Sequence, residues 1–254
     1  MQNIGNSKYP IADFVPWWSS IGTACRYFFK SLSYESFRKV RWEQFKAYCY
    51  WFGPRSIYLV TFGAMAISLA LAVQCITELQ KFQAEDFSGA LISIGLLREL
   101  GSITISLAWG ARASALIAEE ARRYIGNGTE DDFVDRFVLV RYLAALAMGI
   151  PLSAYGLAIG FLTGALFSPL LGVSSTADFI ESAKQQIQVQ DLVVYFFKLG
   201  LVNPTIAVFA GCICGRAERS PFAPVAAHAV TATLITGYLA NLLVTALVYI
   251  PLRY

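Results

Sequence analysis

From position 57 onward the chain is a succession of long apolar stretches separated by short polar segments. A helix rises about 1.5 Å per residue and a bilayer core is about 30 Å thick, so a spanning helix takes about 20 mostly apolar residues. Five windows meet that requirement: 57–79, 87–118, 137–167, 192–215 and 225–251. The second is longer than one crossing needs, which predicts tilt or projection into water. Residues 14–55 have a different pattern. Phe14, Trp17, Trp18, Tyr27, Phe28, Phe29, Phe37, Trp42, Phe45, Tyr48, Tyr50, Trp51 and Phe52 are interleaved with basic residues. Such a mixture reads as helices lying in the membrane interface, apolar face in lipid. The pattern therefore predicts an all-α integral membrane protein, with N-terminal amphipathic interfacial helices (residues 1–55) followed by five transmembrane helices in one membrane domain (56–254). No internal repeat or low-complexity linker divides it.

Composition agrees. Of 254 residues, 56% are hydrophobic and 15% charged, and mean hydropathy is +0.53. Soluble domains are about 45–50% apolar and about 25% charged. The net charge of +3 carries no nucleic-acid footprint, so no such partner is expected. Residues 1–20 lack a basic stretch followed by an apolar core, so the first span is expected to serve as the targeting element.

The basic residues are strongly sided. Arg26, Lys30, Arg38, Lys39, Arg41, Lys46 and Arg55 precede the first span. Arg122, Arg123, Arg136 and Arg141 lie between the second and third, and Arg216 and Arg219 between the fourth and fifth. The opposite side has only Lys81, Lys184 and Arg253. The positive-inside rule then predicts a cytoplasmic N-terminus and an external C-terminus, which requires an odd number of spans.

Little in the chain suggests chemistry of its own. The cysteines, at 25, 49, 75, 212 and 214, are odd in number and show no framework spacing, so they read as small apolar packing residues. His228 is the single histidine and builds neither a triad nor a metal site alone. The chain has no G-x-x-x-x-G-K-[ST], no G-x-S-x-G and no H-E-x-x-H, so no catalytic residue, metal or cofactor is expected in it.

The informative residues are charges inside the spans. Arg98 and Glu99 interrupt the second window and Lys198 the fourth. Each costs about 2.5–3.5 kcal/mol at the bilayer centre on insertion scales, so each should face a partner or a wet cavity. Neighbouring helix positions diverge in direction, so Arg98 and Glu99 do not satisfy each other. Glu99 with Lys198 is the expected interhelical pair, and a lipid phosphate is one acceptor for Arg98. A buried network that only fixes packing is the alternative. Pro151 and Gly156 in the third window, and Gly200, Pro204 and Gly211 in the fourth, predict loosened helices. The acids Glu119, Glu120, Glu130, Asp131, Asp132 and Asp135 gather between spans two and three, as a solvated loop or a docking surface.

Leu96-Leu97-Arg98-Glu99-Leu100-Gly101 resembles the MlaE/YrbE family, the permease subunits of ABC transporters that move lipids with MCE-domain partners. Gln74, Glu85, Arg98, Glu99 and Arg112 fall on the family pattern without gaps. Ala113–Glu119 is similar to its A-G-S-A-x-x-A-E stretch with one residue missing. Asp191-Leu192-Val193 followed by Lys198 resembles its D-L-x(5)-K, and Leu242–Leu247 its closing F-V/L-L-T-A-L. The resemblance covers roughly residues 55–250. It implies a dimer of permeases, like or unlike, with two ATPase subunits that bind ATP and magnesium in the cytoplasm. A periplasmic MCE ring completes the assembly in a bacterial inner membrane, and lipid sits between the permeases. Arg98, Glu99, Lys198, Gln74 and Asn241 become the implied lipid-binding set, and Glu119, Glu120, Glu130, Asp131 and Asp132 the implied ATPase-coupling set. The chain departs from the pattern at the coupling segment, which is shorter and carries Gly126-Asn127-Gly128. It departs again at Asn241, where the family has aspartate, and before the last span, where Ser220–Pro224 and Ala226-Ala227-His228 replace a Gly-rich loop and T-T-R. The resemblance thus implies a permease subunit moving phospholipid between the inner membrane and the MCE partner, with fatty acids or sterols as the nearest alternative substrates. A non-transporting scaffold and an ion-coupled carrier with Glu99 as proton site are the rival readings.

Overall fold

A computed structural model describes residues 17–31, 40–124, 130–173, 175–217 and 224–250. Every element among them is helical. Helices α1 (Trp17–Ser31) and α2 (Trp42–Phe52) precede a turn, Pro54–Ser56, which leads into α3 (Ile57–Gln80). Then follow α4 (Ser88–Arg98), α5 (Leu100–Arg123), α6 (Leu139–Phe167), α7 (Thr176–Gln186), α8 (Val189–Phe197), α9 (Asn203–Ala217) and α10 (Val225–Tyr249). Short helical segments, Glu130–Phe133 and the wider π turn Val134–Val138, lead into α6, and a second π turn, Lys198–Val202, joins α8 to α9.

Five helical stretches are long and apolar enough to cross a membrane, as the hydrophobic pattern predicts. They are carried by α3, α5, α6, α8 with α9, and α10. The second crossing differs from the expectation of one long helix. It is interrupted at Glu99, and α5 continues to Arg123. Helix α7 was not expected at all. Ser175 caps it, with its hydroxyl accepting the Asp178 backbone N–H at 3.1 Å, and buried Phe179 seals it against α4.

Helix α5 is the hub: α3, α9 and α10 all pack on it. Its contact with α9 is backbone-close. A Cβ on Gly211 would lie 2.7 Å from the Ser114 carbonyl, and one on Gly215 would lie 2.5 Å from that of Ala118. Two glycines four apart meeting small residues allow this approach, the usual solution where lipid removes any hydrophobic drive between helices. The same glycine that sequence reasoning took as loosening the helix is thus part of its seam. Pro151 leaves α6 unbroken. Helix α10 packs chiefly on α5 and α9 and leaves Leu239, Leu243 and Leu247 exposed on its outer side.

The N-terminal aromatics divide between two roles. On α1, Tyr27 is buried and meets Phe133, with ring centres 6.1 Å apart. Phe28 meets Tyr142 and Phe209, whereas Phe29 points outward. On α2, Phe52 is buried and its carbonyl accepts the Trp109 indole N–H at 3.0 Å, while Trp42, Tyr50 and Trp51 are exposed. Only part of this aromatic belt is therefore left for lipid; the rest nails the two helices to the bundle. Residues 1–16 and 32–39, including Phe14 and Phe37, lie outside the described residues.

Candidate functional site

The interruption at Glu99 has a specific backbone cause. Glu99 has φ −132° and ψ −66°, outside the helical region. The chain regains its ladder at once, the Ile103 N–H reaching the Glu99 carbonyl at 2.9 Å. Gly101 makes the bend feasible, because a Cβ there would sit 2.2 Å from the Leu96 carbonyl oxygen. Opposite the break, α8 opens into the π turn at Lys198. Pro204 stands in the first turn of α9, where it has no N–H to return to the preceding carbonyls. A widened turn accommodates that loss, and such turns recur at functional sites.

These two irregular points face each other. Lys198 is fully buried, and its Nζ donates to the Arg98 carbonyl at 2.6 Å and to Thr245 Oγ1 at 2.5 Å. Its ammonium thereby serves a carbonyl next to the broken turn. Glu99 Oε1 lies 3.6 Å from the same Nζ, an ion pair without a hydrogen bond. Both Glu99 carboxylate oxygens are buried and without a hydrogen-bond partner. The expected Glu99–Lys198 pair thus exists, but Lys198 does most of its bonding elsewhere.

Arg98 does not depend on a lipid phosphate for its counter-charge. Its Nε donates to Asp191 Oδ1 at 2.9 Å, and Asp191 is fully buried. The Tyr249 hydroxyl donates to the same oxygen at 2.5 Å, and the Arg98 guanidinium lies over the Tyr249 ring, 4.6 Å from its centre. Asp191 Oδ2 accepts the Gln188 backbone N–H at 3.3 Å, so one carboxylate caps α8 and holds the arginine. Arg98 keeps 34% of its side chain exposed, which leaves part of its donor fork open.

Along α10, Asn241, Thr245 and Tyr249 recur every four residues and so share one face. Asn241 is buried and donates from Nδ2 to Asn203 Oδ1 at 3.0 Å. The Asn203 amide nitrogen and Asn241 amide oxygen are left unpartnered. The structure therefore gathers Arg98, Glu99, Lys198 and Asn241 along one polar seam of α4, α8, α9 and α10. Gln74 stands on an exposed face of α3 and makes none of the seam's hydrogen bonds. Beside the break a narrow cleft is lined by Ala64, Leu96, Gly101, Ile105, Gly160 and Tyr195.

Sequence reasoning missed Asp191, Tyr249, Thr245 and Asn203 as members. Two signals pointed to them: Asp191 is the only acid between Glu181 and Arg216, and the four-residue repeat on α10 marks a polar face within an apolar helix.

The coupling acids separate. Glu119 pairs with Arg122 at 2.8 Å and approaches Arg123 at 3.9 Å, all on α5. Glu120 stays partly exposed yet is fully engaged: its Oε2 accepts from Arg141 Nη2 at 2.7 Å, Arg141 Nε at 3.0 Å and the Tyr48 hydroxyl at 3.1 Å. Arg141, itself bonded to the Tyr48 oxygen, also lies over the Phe137 ring. Asp132 meets Arg136 at 3.7 Å on the surface. The side chains of Glu130 and Asp131 lie outside the described ones, as do residues 125–129 with Gly126-Asn127-Gly128, and residues 218–223.

A comparison with curated proteins finds no match. The family model described as Permease MlaE matches residues 45–250, from within α2 to just past α10, and thus takes in the broken second crossing and the whole seam. With that match over well more than half its length, the chain belongs to the MlaE permease family.

Proposed function

We propose that this lipid-transport permease is the transmembrane subunit of an ATP-driven transporter passing phospholipid between the inner membrane and an MCE-domain partner. The observation that carries the reading is Arg98: held by Asp191 at 2.9 Å on one edge, yet 34% exposed at a helix break. A guanidinium with a free edge binds a phosphate in bidentate fashion, and the preset partner keeps its orientation. Leu91 and Leu100, exposed before and after the break, suit acyl chains. The unpartnered outer face of α10 suits a second permease, like or unlike, that closes the cavity. ATP hydrolysis belongs to a separate cytoplasmic subunit reached through the segment between α5 and α6. The basic sidedness puts α1, α2 and that segment in the cytoplasm and the C-terminus in the periplasm.

The test is to purify the chain with its co-purifying subunits and measure bound lipid by mass spectrometry, native and as Arg98→Ala. Phospholipid at near-stoichiometric level, reduced severalfold in the variant with assembly intact, is the expected result. Fatty acid or sterol in its place would change the substrate class. Undiminished lipid and transport in the variant would leave the seam a packing device.

A further inference from the structure

A second pair of arginines stands at the elbow between α2 and α3. Arg112 on α5 donates from Nη1 to the Trp51 carbonyl at 3.2 Å and to the buried Ser56 hydroxyl at 2.5 Å. Arg55, in the turn Pro54–Ser56, lies over the Trp51 ring, 3.8 Å from its centre. One guanidinium thus holds the backbone of Trp51 and the other its ring. Among the described residues neither arginine has a carboxylate partner, whereas Arg98, Arg122, Arg136 and Arg141 each do. Two cations brought to one tryptophan without an acid form a site short of negative charge.

The level of that site in the membrane follows from its surroundings. The turn leads directly into the α3 crossing, whose first residues Ile57, Tyr58, Leu59 and Phe62 are exposed and apolar. Trp51 and Tyr50 are exposed just before it. Exposed aromatics followed by exposed aliphatics mark the passage from headgroups to hydrocarbon. Arg55 therefore sits at headgroup depth, above a surface fit for acyl chains.

We infer that Arg55, Arg112 and Trp51 form a binding site for a phospholipid with an anionic headgroup, drawn from the leaflet on the α2 side and distinct from the seam around Arg98. The phosphate lies between the two guanidiniums, and one acyl chain follows Tyr58 and Phe62 along α3. Arg112 is anchored, so it presents a fixed charge; Arg55 is exposed and completes the grip from outside. A zwitterionic headgroup brings its own cation to an already cationic site and binds less well.

The experiment uses the purified full chain, with its co-purifying subunits, in lipid nanodiscs. Photoactivatable phosphatidylglycerol with the reactive group in its headgroup is crosslinked, and labelled peptides are mapped by mass spectrometry. Arg55 is exposed, so Arg55→Gln keeps the fold. Labelling of the segment 50–62 should fall roughly tenfold in that variant, the equivalent of one lost charge-assisted contact. Labelling near Arg98 should not change, which separates this site from the transport reading. A matched phosphatidylcholine probe should label the segment severalfold less. Millimolar inorganic phosphate should not displace the lipid; displacement would identify a free-anion site instead and overturn the assignment. Equal labelling of native and Arg55→Gln chains, or equal labelling by both lipids, would also overturn it.

Discussion

Asp191 Oδ1 accepts two donors at once, Arg98 Nε at 2.9 Å and the Tyr249 hydroxyl at 2.5 Å, and so ties the end of α4 to α8 and α10. Three crossings share this one buried carboxylate. Replacing Asp191 with asparagine removes the charge but keeps the shape, leaving Arg98 opposed by an amide. Stability should drop by about 1–3 kcal/mol, the usual cost of stranding a buried polar partner. Thermal unfolding in detergent should show it as a lower midpoint. Adding Arg98→Gln should recover part of the loss, because the two sites are coupled.

Glu99 and Lys198 should be unequal. As a bare ion pair, the two would be equivalent, each leaving the other unpaired when removed. In the structure Lys198 keeps the Arg98 carbonyl and Thr245 when Glu99 is lost. Lys198→Ala loses both bonds and strands a buried carboxylate. It should destabilise by about 3 kcal/mol, clearly more than Glu99→Ala. Melting of the two single variants and the double variant decides the order; a more damaging Glu99→Ala would refute it.

Tyr48, Glu120 and Arg141 clamp α2 to the ends of α5 and α6. Tyr48→Phe removes one hydroxyl and should cost about 1 kcal/mol. Arg141→Ala should cost about 3 kcal/mol, because Arg141 is nearly buried and also covers Phe137. If the clamp holds α2 in place, proteolysis between α2 and α3 should speed up in both variants, more in the second.

Topology is open to direct labelling. Lys184 is exposed on α7, and the proposed orientation puts it outside. In a background without the native cysteines, Lys184→Cys should react with a membrane-impermeant maleimide in intact spheroplasts. Asn127→Cys should react only after permeabilisation. Reaction of Asn127→Cys in intact cells would reverse the orientation.

The sequence by itself determined the helical class, the five crossings and the charges that need partners. Those follow from local rules: an apolar run about 20 residues long has one stable form in lipid, and a charge within it must be satisfied. The Leu-Leu-Arg-Glu-Leu-Gly stretch also carried the family. Tertiary structure decided everything that depends on which helices meet. That Arg98 pairs with Asp191, 93 positions away, cannot be read from the spacing of either. That Lys198 spends itself on a carbonyl follows only from a broken turn lying opposite it. Glu120 looks like one surface acid among six and becomes the joint of three helices because α2 folds back along α6 to bring in Tyr48. Gly211 reads as a weak point in a helix and is a contact point, because the backbone of α5 lies against it. Short-range chemistry sets what each segment must be; packing between segments sets which of its polar groups remain free for a ligand.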